Sequence, residues 1–199
     1  MTAPLPHRAE HAAQARRVQL AQAARTVNDG GIIAYPTEAV YGLGCDPRDG
    51  AAVLRLLALK QRALAKGLIL IAASFEDLQP YLAALSAETV SKVRKSWPGP
   101  VTWLLPARKE VPFWLCGSHA TLAVRVTAHP LAAALCRACG GVLVSTSANI
   151  SKRPPARTAL AVRRRFGAEI DYVLSGALGG LDKPTRIIDA GSGKVIRGA

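Results

Sequence analysis

The sequence predicts an α/β fold, a sheet layered with helices, and three observations carry that expectation. Short β-type apolar runs alternate along the chain with amphipathic stretches of helical period. Turn and cap residues punctuate nearly every boundary. Half of the 199 residues are hydrophobic and a fifth charged, ordinary composition for one well-buried domain and unlike a disordered chain. One domain over residues 1–199 is expected, with about 1–16 frayed.

A first helix is predicted over 12–27, with Val18, Ala21, Ala24 and Val27 on one face; Asn28-Asp-Gly-Gly31 stops it. Ile32–Tyr35 reads as a buried strand. Pro36-Thr-Glu38 follows, and then Gly42 and Gly44, which suit a backbone packed closely against a neighbour. A helix is expected over 51–59 and a strand over 68–73. Ser86 caps a helix whose apolar face holds Val90, Val93 and Trp97, with Pro98 ending it. Strands are expected at 101–105, 121–126, 142–147, 170–174, 186–189 and 194–197. Pro130 opens a helix that closes at Gly140-Gly141, and Thr158 caps another that ends near Phe166-Gly167.

The 26 Lys and Arg against 13 Asp and Glu leave a net charge of +13. One small anionic ligand would bring only a few negative charges, so a polyanion such as RNA would answer the excess; a charge spread evenly for solubility is the other reading. Aromatic residues that could stack on bases are only 5%. No stretch approaches the roughly 18 apolar residues of a membrane span, and residues 1–17 have no apolar core of a secretory signal. A cytoplasmic protein with reduced thiols is expected. Cys136-Arg-Ala-Cys139 has no second pair and sits in a helical apolar run, so both thiols read as core; Cys45 and Cys116 are scattered, and His119 and His129 are assigned to local structure.

Three places gather polar groups. Residues 50–74 hold Arg55, Lys60, Arg62 and Lys66 and no acid. On one continuous helix Lys60 and Arg62 would point about 200° apart, so they converge on a phosphate chain only if the helix ends near Lys60. The other reading is a solvated basic face. In 121–126, alternation sets Leu122, Val124 and Val126 against Thr121, Ala123 and Arg125; in 142–147 it aligns Ser145 with Ser147. An Arg inside a strand needs a partner, either a ligand carboxylate or a distant Glu38 or Asp46. Thr37, after a strand and a rigid proline, is a candidate pocket residue. The chain has neither G-x-x-x-x-G-K-[ST] nor G-x-G-x-x-G.

Six runs carry a family resemblance: 34–45 (AYPTEAVYGLGC), 59–62 (LKQR), 66–71 (KGLILI), 97–102 (WPGPVT), 122–126 (LAVRV) and 145–149 (STSAN). In this order they closely resemble the YrdC family, in its short bacterial form. The resemblance implies a twisted open sheet of mixed strand direction, flanked by helices, with a basic concave surface. It implies adenylate formation from L-threonine, bicarbonate or CO2, and ATP, giving threonylcarbamoyl-AMP and pyrophosphate for a separate tRNA-modifying transferase complex. By motif, Lys60 and Arg62 act in catalysis and, with Lys66, grip the ATP phosphates. Thr121, Ser147, Asn149, Thr185 and Arg197 complete the nucleotide side. Thr37, Arg125 and Ser145 hold threonine, with Arg125 on its carboxylate. Mg2+ held mainly by phosphates is expected, and no protein metal site. Ala63 departs from the family's proline after Lys-x-Arg, where the helix must stop. The rival class is a non-catalytic RNA-binding module of the same fold, binding tRNA or double-stranded RNA or serving ribosome maturation.

Overall fold

The computed structural model describes residues 6–198, whose strands form one nine-stranded sheet. In chain order the strands are β1 (Ile33–Pro36), β2 (Tyr41–Gly44), β3 (Ile69–Ala72), β4 (Val101–Pro106), β5 (Thr121–Val126), β6 (Val142–Ser147), β7 (Tyr172–Val173), β8 (Arg186–Asp189) and β9 (Val195–Arg197). The helices are α1 (Pro6–Asn28), α2 (Gly50–Leu59), α3 (Phe75–Leu78), α4 (Ala87–Arg94), α5 (Phe113–Cys116), α6 (Pro130–Ala138) and α7 (Ala159–Phe166). Spatial order in the sheet is β7-β1-β2-β6-β3-β5-β4-β8-β9. Three neighbouring pairs are parallel (β1/β7, β3/β5 and β4/β8) and the rest antiparallel, so the sheet is mixed as expected. Both edges are short, β7 at two residues and β9 at three, which limits edge-to-edge pairing.

The pleat divides the core into two layers. Ile33, Tyr35, Ile71 and Leu143 face α1 and α6, which contribute Ala23, Ala24, Val27, Ala132, Leu135 and Cys136. The other face sets Leu43, Leu70, Val124 and Val144 against Val53 and Leu56 of α2 and Val162 and Phe166 of α7. Gly44 lies where any side chain would strike the Val144 carbonyl, the close approach expected of this glycine.

Two helices differ from expectation. α1 begins at Pro6, so the described part of 1–16 is helical; residues 1–5 lie outside the described residues. Its buried face is Ala23, Ala24 and Val27, with Leu20 half-buried, whereas Val18 and Ala21 are exposed. Each step of three residues falls about 60° short of a full turn. A strict three-residue ladder from Val27 back to Val18 therefore winds round to the opposite side, and the spacing 20, 23, 24, 27 keeps one face. In α4 the Ser86 hydroxyl accepts from the Thr89 amide at 3.1 Å as expected, but the helix ends at Arg94, so Trp97 is not on it. The residue before a proline is biased away from helical backbone.

α2 stops where the site requires, without the proline. Lys60 is its C-cap, and Gln61 takes φ 50. The Gln61 amide donates to the Ala58 carbonyl at 2.9 Å and the Arg62 amide to Leu57 at 3.0 Å, the two bonds of a Schellman stop. A left-handed non-glycine residue costs about 1 kcal/mol. Gln61→Gly should therefore raise unfolding stability by up to about 1 kcal/mol in a urea titration; a loss of stability would show that Gln61 is not strained there.

Candidate functional site

Strand pleat places the site. On β3 and β6, Ile71 and Leu143 lie under α6. Two residues along, on the same face, Ile69 and Ser145 emerge beyond that helix onto the wall of a cavity of about 400 Å3. Register brings Ala123 of β5 beside Ile69, and Ile69 beside Ser145, so the three strands form a common floor. Thr121 and Arg125 share that face with Ala123 and also line the cavity. Arg62, Lys66, Ser147, Asn149, Thr185 and Arg197 complete the set of expected residues on its wall. The wall carries no Asp or Glu among the described residues.

Two expected residues are not placed on that wall. Lys60 is 3% exposed, and its ammonium donates to the Ser147 carbonyl, to the Asn149 carbonyl at 2.8 Å and to Asn149 Oδ1 at 3.4 Å. It fastens the loop after β6 from behind, while Ser151 returns two bonds to the Lys60 carbonyl, at 2.9 Å from its amide and 3.0 Å from its hydroxyl. The Schellman stop turns Arg62 into the cavity and leaves Lys60 on the protein side. Thr37 is buried, and its hydroxyl donates to the Val40 carbonyl at 2.7 Å; Ala39 and Val40 of the same turn are the residues that reach the wall.

Arg62 is half-buried, its Nε and Nη2 donating to the Gly67 carbonyl at 3.3 and 3.0 Å, which fixes the guanidinium across the Lys66–Gly67 turn. Burial holds its pKa below the ordinary arginine value. Arg197 is lowered first by desolvation and then by the charges of Arg125 and Arg62. Lys60 is pushed down to about 8 by burial and then by Arg62. The cations thus crowd one another, and an anion entering the cavity would relieve all of them.

Arg125 already has a partner inside the protein, the Glu38 alternative rather than Asp46, which pairs with Arg48 at the surface. Arg125 Nη2 stands 3.3 Å from Glu38 Oε2, both side chains 6% exposed, and Nη1 donates to the Thr185 hydroxyl at 2.8 Å. Glu38 Oε1 accepts from the Thr127 hydroxyl at 2.7 Å and from the Ala128 amide at 3.2 Å. Arg125 Nε, Glu38 Oε2, Thr102 Oγ1 and Tyr35 Oη are the buried side-chain polar atoms without a hydrogen bond among the described residues. Trp103 opposite Val124 carries Thr102 to the position next to Arg125. Burial raises the Tyr35 hydroxyl far above its ordinary pKa, with the Arg125 and Glu38 charges among its neighbours. Most buried polar groups in folded proteins are hydrogen-bonded, and two of these four atoms belong to the Arg125–Glu38 pair.

The wall also includes Cys116, His119 and Ile196, which sequence reasoning missed. His119 was assigned to local structure; it reaches the cavity because the 117–120 loop feeds β5, and no spacing rule signals that. His129 does serve local structure. Its Nδ1 accepts from the Ala132 amide at 3.3 Å as the cap of α6, and Nε2 bonds the Ala177 carbonyl at 3.0 Å. Cys136 and Cys139 lie in the α1–α6 core, as their helical spacing predicted. Burial raises both thiols, Cys139 to about 12 and Cys45 likewise to about 12. A thiol reagent at pH 8 should leave Cys45, Cys136 and Cys139 unmodified in the native protein and titrate all four cysteines after unfolding; rapid native labelling of Cys139 would contradict this placement. None of the described helices is long and apolar enough to cross a membrane.

A mixed α/β sheet whose floor offers hydroxyls, ringed by cations round a hollow of small-ligand size, defines a protein that receives a polyanionic small molecule. The comparisons with known proteins narrow that class. The family model Sua5_yciO_yrdC, described as "Telomere recombination", matches residues 25–199. A threonylcarbamoyl-AMP synthase of Nitrosococcus oceani is 59% identical over 181 residues, 91% of this chain and 97% of the relative. One of Halorhodospira halophila is 57% identical over 182 residues, 92% of this chain and 95% of the relative. Among solved structures, that of P. abyssi Sua5 complexed with L-threonine superposes with a TM-score of 0.81 at 34% identity, covering 85% of this chain and 50% of that one; this chain therefore spans about half of the P. abyssi protein. E. coli YciO gives 0.77 at 29% identity, with 87% and 84% covered. The chain belongs to the Sua5/YciO/YrdC family.

Proposed function

We propose that this protein is a threonylcarbamoyl-AMP synthase: it joins L-threonine, CO2 or bicarbonate, and ATP into threonylcarbamoyl-AMP and releases pyrophosphate. The single observation that carries the reading is the convergence of Arg62, Lys66, Arg125 and Arg197 with Thr121, Ser145 and Ser147 on one acid-free cavity. It agrees with the activity named for relatives aligned over most of their length.

The chemistry asks little covalent work of the protein. The threonine amine adds to CO2, forming a C–N bond and releasing a proton, to give a carbamate; from bicarbonate a water leaves in place of that proton. A carbamate oxygen then attacks the α-phosphorus, the bond to the β-phosphate bridging oxygen breaks, and pyrophosphate leaves. Such transfers depend on alignment and charge neutralisation, by analogy with other phosphoryl transfers. Arg62 and Lys66 neutralise the departing phosphates, Arg197, Thr121, Ser147 and Asn149 hold the nucleotide, and Arg125 with Ser145 receives the amino acid. Lys60 acts from behind, holding the Ser147–Asn149 loop and adding positive potential; Thr37 shapes the turn that carries Val40. Mg2+ would enter with ATP and help neutralise its phosphates; the described wall offers no carboxylate, so phosphate oxygens and water would hold it. Threonine is chosen over valine by hydrogen bonds to its hydroxyl, which can discriminate by about 10⁴, where an apolar pocket cannot. The product passes in the cytoplasm to a threonylcarbamoyl transferase complex acting on tRNA.

The test is to incubate the pure protein with ATP, Mg2+, bicarbonate and each amino acid in turn. Threonine-dependent pyrophosphate and an acid-labile adenylate are expected. Absence of both, together with RNA binding of steep salt dependence, would overturn the reading in favour of an RNA-binding module.

A further inference from the structure

Between β7 and β8 the chain runs back across the molecule as a strap, residues 174–185. Its anchors are specific. The Tyr41 hydroxyl donates to the Gly176 carbonyl at 2.8 Å and accepts from the Gly176 amide at 3.1 Å. The Gly179 amide donates to the Thr37 carbonyl at 3.0 Å, and the Leu181 amide to the Glu38 carbonyl at 2.9 Å. The strap ends at Thr185, 7% exposed and on the cavity wall.

Thr185 faces both halves of the site with different atoms. Its hydroxyl accepts from Arg125 Nη1 at 2.8 Å. Its backbone carbonyl accepts from Arg197 Nη2 at 2.8 Å and Nε at 3.2 Å. The β8–β9 pairing, Ile187 opposite Arg197, delivers that second guanidinium to it. Side chain and main chain of one residue therefore hold two like-charged groups apart.

We infer that Thr185 is a positioning residue with divided duties: its hydroxyl orients Arg125 for the amino-acid carboxylate, and its carbonyl orients Arg197 for the nucleotide. This departs from the motif-based expectation, which put the whole residue on the nucleotide side, and it rests on the function proposed above. Arg125 cannot be aligned by Glu38 alone. That pair stands at 3.3 Å without hydrogen-bond geometry, and Arg125 Nε has no partner, so the Thr185 hydroxyl is the hydrogen bond that fixes the plane of the guanidinium. A misaligned Arg125 should lose about one charge-assisted hydrogen bond to the ligand carboxylate, which corresponds to about a tenfold change in affinity or more.

The experiment is calorimetric binding of L-threonine and, separately, of α,β-methylene ATP with Mg2+, which cannot release pyrophosphate. Thr185→Val and Thr185→Ala remove the hydroxyl and keep the carbonyl; Thr185→Ser keeps both. Expected is a roughly tenfold or greater loss of threonine affinity in Val and Ala, wild-type affinity in Ser, and nucleotide affinity within about twofold of wild type in all three. Should Val fail to fold, Ala and Ser carry the comparison. Unchanged threonine binding in Ala, equal losses for both ligands, or a Ser variant as weak as Ala would overturn the inference while leaving the synthase reading intact. Wild-type protein that binds neither ligand would overturn both.

Discussion

Replacing Arg62 by alanine should lower threonine-dependent pyrophosphate release by about 10²–10³-fold, the usual loss when one preorganised donor to developing charge is removed. Arg62 is the cation that the end of α2 aims into the cavity, and its grip on the Gly67 carbonyl holds it ready before any ligand arrives. Its burial has already depressed its pKa, so neutralising a phosphate there regains stabilisation that water would otherwise supply. The two bonds to Gly67 are partly buried and local, five residues away, so the fold should survive; unfolding free energies of wild type and variant from urea titration should agree within about 1 kcal/mol. The same turnover in both proteins would remove Arg62 from the mechanism. Lys60→Ala should behave differently. It leaves the Asn149 carbonyl without its donor and takes the second donor from the Ser147 carbonyl, so lost activity should come with lost stability of about 1–3 kcal/mol.

Glu38→Gln should cost about 3 kcal/mol of unfolding free energy, near the lower end for removing one partner of a buried ion pair. Glutamine keeps an acceptor for the Thr127 hydroxyl and the Ala128 amide, so the change isolates the charge facing Arg125. With its counter-charge gone, Arg125 becomes a buried cation whose remaining support is the Thr185 hydroxyl. L-Threonine should then stabilise the variant more than it stabilises wild type, because the ligand carboxylate supplies the missing charge. Urea unfolding with and without the amino acid reads both effects. A variant as stable as wild type, or one that threonine leaves unaffected, would show that Arg125 does not depend on Glu38.

Much of the site was legible because strand period and position suffice to define a face. Thr121 and Arg125, and Ser145 and Ser147, were paired by alternation alone, and all four lie on the cavity wall. A helix over 51–59 was also expected, with Ala63 in place of the family's proline weakening its stop; the chain stops it with a left-handed Gln61, a geometry that composition does not advertise. Period was misread in α1, where counting every third residue let the predicted face drift round the helix. Two of the expected residues, Lys60 and Thr37, lie off the wall for one reason. Each polar group had a backbone acceptor within a few ångströms after folding, and sequence does not reveal which acceptors come close.

The sequence by itself determined the alternation of strands and helices, the caps, the apolar faces of the central strands and the family to which the chain belongs, because each of these is a local pattern or an ordered set of short runs. Tertiary structure alone decided which of the candidate carboxylates meets Arg125, that Thr185 stands between two guanidiniums, and that His119 and Cys116 share the hollow. Those contacts join residues distant in sequence, such as Arg125 and Glu38, or Arg125 and Thr185, and their energies depend on separation and burial. Neither quantity exists until the sheet has brought β1, β5, β8 and β9 into one order.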